Sequence, residues 1–100
     1  MNIFIKYGLH HTGETCKEPY KESDKINVSI LLEGGPFVYS FKRRDNDAMI
    51  FPDPVVLEKI GDYIIYGTNV KHTWSALKEA TVLTVQFPPP LPWYTFPELD

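Results

Sequence analysis

The sequence predicts an all-β fold, a sandwich or barrel of short antiparallel strands. Three observations predict it. Apolar residues recur with a period of two rather than the helical period of about 3.6. Turn-forming residues fall at short intervals. No segment of any length carries a convincing helical pattern. One hundred residues give room for one domain and one core.

The strands follow in order. Asn2 to Tyr7 reads as an N-terminal strand, and Thr12 to Glu18 carries a fainter alternation. In Lys25 to Glu33, Ile26, Val28, Ile30 and Leu32 share one face while Asn27, Ser29 and Leu31 share the other. Phe37, Tyr39 and Phe41 line one face of the next strand, reached through Gly34-Gly35-Pro36. Val55 to Ile60 is a short apolar stretch after Pro52-Asp53-Pro54, and Tyr63 to Tyr66 is β-branched and aromatic. Lys71 to Leu77 puts His72, Trp74 and Ala76 together, and Thr81, Leu83, Val85 and Phe87 alternate along the last strand. Phe87 to Trp93 then turns proline-rich. Proline donates no ladder hydrogen bond, so the chain is expected to leave the sheet there. The expected organisation is a barrel over 1–87 and a tail over 88–100, with Trp93, Tyr94 and Phe96 lying against the barrel or a partner subunit.

The composition is 43% hydrophobic and 23% charged, ordinary for a globular domain. The net charge of −3 argues against a nucleic-acid or anionic-membrane partner. The single basic cluster, Lys42-Arg43-Arg44, runs into Asp45-Asn46-Asp47, which is turn chemistry and reads as a solvated hairpin tip. Cys16 is the sole cysteine and excludes an intrachain disulfide. The N-terminus lacks the apolar stretch of a signal peptide, and no run approaches the roughly 20 apolar residues of a membrane span. A soluble cytoplasmic protein is the expectation.

The stretch GDYIIYGTNVKHTW carries a resemblance. Gly61, Gly67, Asn69, His72 and Ala76 are spaced like the second conserved motif of the cupin superfamily, which runs glycine, five residues, proline, any residue, glycine, two residues, histidine, three residues, asparagine. The first glycine, the spacing and the histidine match. Gly67, Asn69 and Ala76 replace the proline, the second glycine and the asparagine. VSILLEGG, upstream, resembles the strand-and-glycine end of the first cupin motif. The resemblance covers roughly residues 20 to 90.

That resemblance implies a double-stranded antiparallel β-barrel of the cupin jelly-roll type. It also implies a candidate divalent metal (Fe, Mn, Ni or Zn), held in the family by two histidines, a glutamate and a further histidine. Here the set is incomplete. With Gly34 as the closing glycine of the first motif, the glutamate position falls on Asn27. The two histidine positions fall on Tyr20 and Glu22, or on Lys21 and Ser23 with the shorter spacing. Only His72 is retained, with Glu22 as the best local second ligand. His10, His11 and Glu14 precede the aligned motif, and at most one of the two adjacent histidines can face inward on a strand.

The expected function is therefore binding of a small polar ligand, a sugar or organic acid, in the barrel. The expected ligand-binding residues are His72, Trp74, Asn27, Glu22, Tyr20 and Ser29, without a full metal triad. The alternative is a metal-dependent cupin enzyme, an oxygenase or an isomerase or epimerase, using His72. The stripe Ile26, Val28, Ile30 and Leu32 points away from that interior and predicts a homodimer, unless the tail or the N-terminal strand covers it.

Overall fold

The structure is a computed structural model, and it describes residues 2–89. Eight strands form: β1 (Phe4–His10), β2 (Lys21–Glu22), β3 (Ile26–Gly34), β4 (Phe37–Arg43), β5 (Val55–Leu57), β6 (Tyr63–Tyr66), β7 (Val70–Ala76) and β8 (Ala80–Phe87). They make two four-stranded sheets, ordered β1-β8-β3-β6 and β2-β7-β4-β5, with every pairing antiparallel. The fold is the all-β architecture that the alternation predicts, and it fits the jelly roll that the resemblance implies, built as two facing sheets. Among the described residues there is no helix, and so none long and apolar enough to cross a membrane.

The alternation decides which side chains go inward. Asn27, Ser29 and Leu31 of β3 are buried, and so are Phe37, Tyr39 and Phe41 of β4. The core is aromatic on the β4 side. Phe37 stacks on Trp74 at 5.2 Å between ring centres, Tyr39 stacks on Phe41 at 5.9 Å, and Tyr66 sits against both Tyr39 and Phe41. Offset and tilted pairs of this kind add about 0.5–1.5 kcal/mol each beyond the area they bury.

Three local expectations change. The segment from Thr12 to Glu18 makes only a single bridge, Thr15 to Ser75, rather than a strand. The strand expected over 55–60 stops at Leu57. Beyond it the Asp62 carboxylate accepts the backbone N–H of Glu58 at 2.9 Å and of Lys59 at 2.8 Å, closing a turn that no ladder could continue. A bulge between Leu31 and Glu33 takes Leu32 out of the ladder, so the outer stripe of β3 ends at Ile30.

The Gly34-Gly35-Pro36 turn requires glycine at its first position. Gly34 has φ +69, and a Cβ there would lie 2.0 Å from the carbonyl oxygen of Glu79. The predicted hairpin tip at 44–46 is present. Arg43 pairs with Asp45 at 3.1 Å, and Lys71 pairs with Asp47. The predicted tail lies outside the described residues from residue 90 onward.

Candidate functional site

Between the two sheets lies a cavity of about 960 Å³. Its walls differ. On the side of β1, β8 and β3 the inward residues are largely polar: Lys6, Thr84, Gln86 and Asn27. On the side of β4 and β7 they are rings: Phe37, Tyr39, Trp74 and His72. The alternation on β7 that puts His72 and Trp74 on one face is what brings both to this space.

His72 is 8% exposed, and its ring lies 4.7 Å from that of Tyr66. Its Nδ1 is buried without a hydrogen-bond partner. Its cross-strand neighbours are Phe41 on β4 and Lys21 on β2. Burial pushes the imidazole pKa down to about 4, and the ammonium groups of Lys21 and Lys6 push the same way, against a backbone contact with Lys21. At neutral pH His72 is uncharged. It can offer a lone pair or an N–H, but it is a poor base for proton abstraction near pH 7.

The other expected residues divide. Trp74 lines the cavity, stacked on Phe37. Asn27 also reaches the lining, yet its amide is fully engaged within the chain. Its Oδ1 accepts from Gln86 at 2.7 Å, and its Nδ2 donates to Ser23 Oγ and to the Lys25 carbonyl, both at 3.1 Å. Its observed work is to tie the 23–25 loop to β8. Ser29 is completely buried and lies outside the lining, its hydroxyl sharing a hydrogen bond with Thr84 at 3.0 Å.

Glu22 borders the cavity, but its carboxylate turns to Arg44 at 2.9 Å. It is one residue along from Lys21 and pairs with Lys71, so it faces away from His72. Tyr20 lies outside the lining, in the turn before β2, with φ 56. Its ring sits 4.0 Å below the Lys42 ammonium. Of the two possible spacings, both members of the shorter one, Lys21 and Ser23, line the cavity, whereas of the longer one only Glu22 does.

One cavity residue lies before the aligned motif. His10, at the end of β1, faces inward with its ring 4.5 Å from that of Trp74 and 5.1 Å from that of Phe37. Its Nδ1 contacts the Glu14 carboxylate at 3.1 Å, while the other Glu14 oxygen accepts the His11 backbone N–H at 2.9 Å. Those contacts hold the Glu14 pKa below its ordinary value. His11 is exposed. A signal for His10 was present in the alternation of β1, where Lys6, Gly8 and His10 share one face and Ile5, Tyr7 and Leu9 the other. Gly8 makes room for the ring, since a Cβ there would come within 2.6 Å of His10 Nε2.

The residues present do not fit the family's metal. A catalytic metal needs about three protein ligands. Here an ammonium stands across from His72, an engaged amide occupies the glutamate position, and Glu22 faces Arg44. Among the described residues no group of three or more His, Cys, Asp or Glu is placed to hold a metal ion.

Solved structures resemble this architecture. An RmlC-like cupin protein from Desulfovibrio desulfuricans matches with a TM-score of 0.57 at 22% identity, over 89% of this chain and 74% of that one. The Drosophila melanogaster CENP-C cupin domain matches with a TM-score of 0.62 at 10% identity, over 83% of this chain and 59% of that one. The Fe(II) form of HppE matches with a TM-score of 0.53 at 16% identity, over 85% of this chain and 42% of that one. No family model matches the sequence, and no curated protein matches it. The chain has the cupin fold.

Proposed function

We propose that this chain is a ligand-binding cupin-fold protein that holds a small polar molecule between its sheets. Of the two classes the sequence suggested, sugar and organic acid, an organic acid suits the cavity better. One observation supports the reading: Lys21 pairs across the strand with His72 and lines the same cavity as Trp74, where the resemblance would place a metal ligand. An ammonium, an uncharged imidazole and an aromatic wall lining one cavity can offer a carboxylate its charge partner, its orientation and its apolar contact. Lys6 brings a second ammonium to the same cavity. Neither lysine has an ion-pair partner among the described residues.

The test is a thermal-shift screen of sugars and of mono- and dicarboxylates, run beside a measurement of metal content. At a ligand concentration of about 100 times Kd, binding stabilises the fold by about 2.7 kcal/mol. We expect at least one carboxylate to raise the Tm, and the rise to shrink in Lys21→Ala, His72→Ala and Trp74→Ala. A stabilisation untouched by those substitutions would place the ligand elsewhere. Close to one equivalent of metal per chain, lost in His72→Ala, would overturn the metal-free reading in favour of a metal-dependent enzyme.

A further inference from the structure

We infer that His10, held by Glu14, is a second polar subsite of the cavity, and that it accepts a hydroxyl group at the far end of the bound acid. The inference rests on the organic-acid reading of the cavity and narrows the ligand to an acid with a terminal hydroxyl. The turn after β1 brings the Glu14 carboxylate to 3.1 Å from His10 Nδ1. The same carboxylate accepts the His11 backbone N–H at 2.9 Å. That N–H and the His10 ring hold the Glu14 pKa below its ordinary value, so the group is ionised near pH 7. An ionised carboxylate only accepts hydrogen bonds. The proton of the uncharged imidazole therefore belongs on Nδ1, and Nε2 keeps its lone pair.

His10 Nε2 has no hydrogen-bond partner among the described residues. It is not sealed off either, since His72 Nδ1 is the one buried side-chain nitrogen or oxygen without a partner among them. Nε2 is thus open to the cavity that its ring lines. The side chain is only 17% exposed and sits against the rings of Trp74 and Phe37, which fix its plane. Gly8 leaves Nε2 uncovered, because a Cβ there would press on it. An acceptor held in place and largely out of water favours a ligand that supplies a donor.

The register sets the length of that ligand. Lys21 pairs with His72 at one level of β7. His10 lies against Trp74 and against Phe37, which pairs with Ala76 further along the strand. Two residues of strand span about 7 Å. A carboxylate at the level of Lys21 and His72 and a hydroxyl at His10 therefore belong at opposite ends of a short chain, not on neighbouring carbons. The Trp74 and Phe37 rings offer its methylene groups an apolar wall.

The experiment is isothermal titration of the full chain with pentanoate, 5-hydroxypentanoate, 2-hydroxypentanoate and 5-methoxypentanoate, repeated in His10→Phe and Glu14→Gln. We expect 5-hydroxypentanoate to bind about fivefold tighter than pentanoate, the worth of one hydrogen bond. The 2-hydroxy acid and the methyl ether, which lacks the donor, should gain nothing. In His10→Phe, which keeps a ring beside Trp74, the ratio should fall to about one, with circular dichroism checking the fold. Glu14 is a positioning residue. The Glu14→Gln amide can donate to Nδ1 and move the ring proton to Nε2, so preference should pass from the hydroxyl toward the ether. A hydroxyl that adds nothing to pentanoate binding, or a gain that persists in folded His10→Phe, would overturn the inference while the organic-acid reading stands. No binding by any of the four acids would overturn it too, and the carboxylate screen above then decides the organic-acid reading separately.

Discussion

His72 is held neutral by its surroundings, and that makes the fold sensitive to acid. Its pKa lies near 4 in the folded chain, against about 6.5 unfolded. Between those values the unfolded state binds the extra proton, so stability rises with pH. The contribution is fully present above about pH 6.5 and is lost as the pH falls toward 4, on the order of 2–3 kcal/mol in all. Denaturant unfolding at pH 7 and pH 4.5 should show that loss, and His72→Gln should flatten it. Asp62 and Glu14 have lowered values, so their contributions fade in a more acidic window. Asn27 makes a second residue-scale case. Its three hydrogen bonds are internal, so Asn27→Ala should cost about 2–4 kcal/mol by stranding Gln86 and the 23–25 loop. An unchanged unfolding midpoint in Asn27→Ala would show that those bonds are worth nothing net.

At the scale of elements, turns and registers set the cavity. Gly34 joins β3 to β4 where the chain presses on the Glu79 carbonyl. Gly34→Ala combines an unfavourable φ with a contact that backbone alone must relieve, so it should destabilise by more than about 2 kcal/mol. Equilibrium unfolding measures this, and a cost below about 0.5 kcal/mol would mean that the turn relaxes freely. The strands were legible because β3, β4 and β7 alternate, while β6 and β8 are rich in β-branched and aromatic residues. β2 was not, since two residues carry no period and form a strand only because β7 offers an edge at His72 and Lys71. That pairing also decides between the two motif spacings. It turns Lys21 toward the cavity and Glu22 toward Arg44.

Across the whole molecule, one sheet serves two surfaces. The inner face of β1-β8-β3-β6 supplies the polar wall of the cavity, and the outer face carries exposed apolar side chains such as Tyr7 and Ile65. Because successive residues point to opposite faces, the same strands encode both without conflict. The two faces are separable for that reason. Tyr7→Lys and Ile65→Lys act on the outer face, so a ligand-dependent Tm shift should survive in both variants. Lys21→Ala, on the inner face, should shrink the shift. Loss of the shift in either outer-face variant would mean that the faces are coupled through the sheet.

The sequence by itself determined the sheet composition. A period of two, with turn residues at short intervals, leaves few alternatives to paired antiparallel strands, and the stretch from Gly61 to His72 resembles the second cupin motif. It also sorted inner from outer residues along each strand, because alternation is local information. Tertiary structure decided which inner faces meet. That β1 pairs with β8 and so carries His10 and Lys6 to the cavity depends on a closure between the two ends of the chain. That Asn27 is spent on Gln86 depends on the β3–β8 register. Contacts between residues far apart in the chain are fixed by sheet order and register, and no periodicity within one strand encodes them.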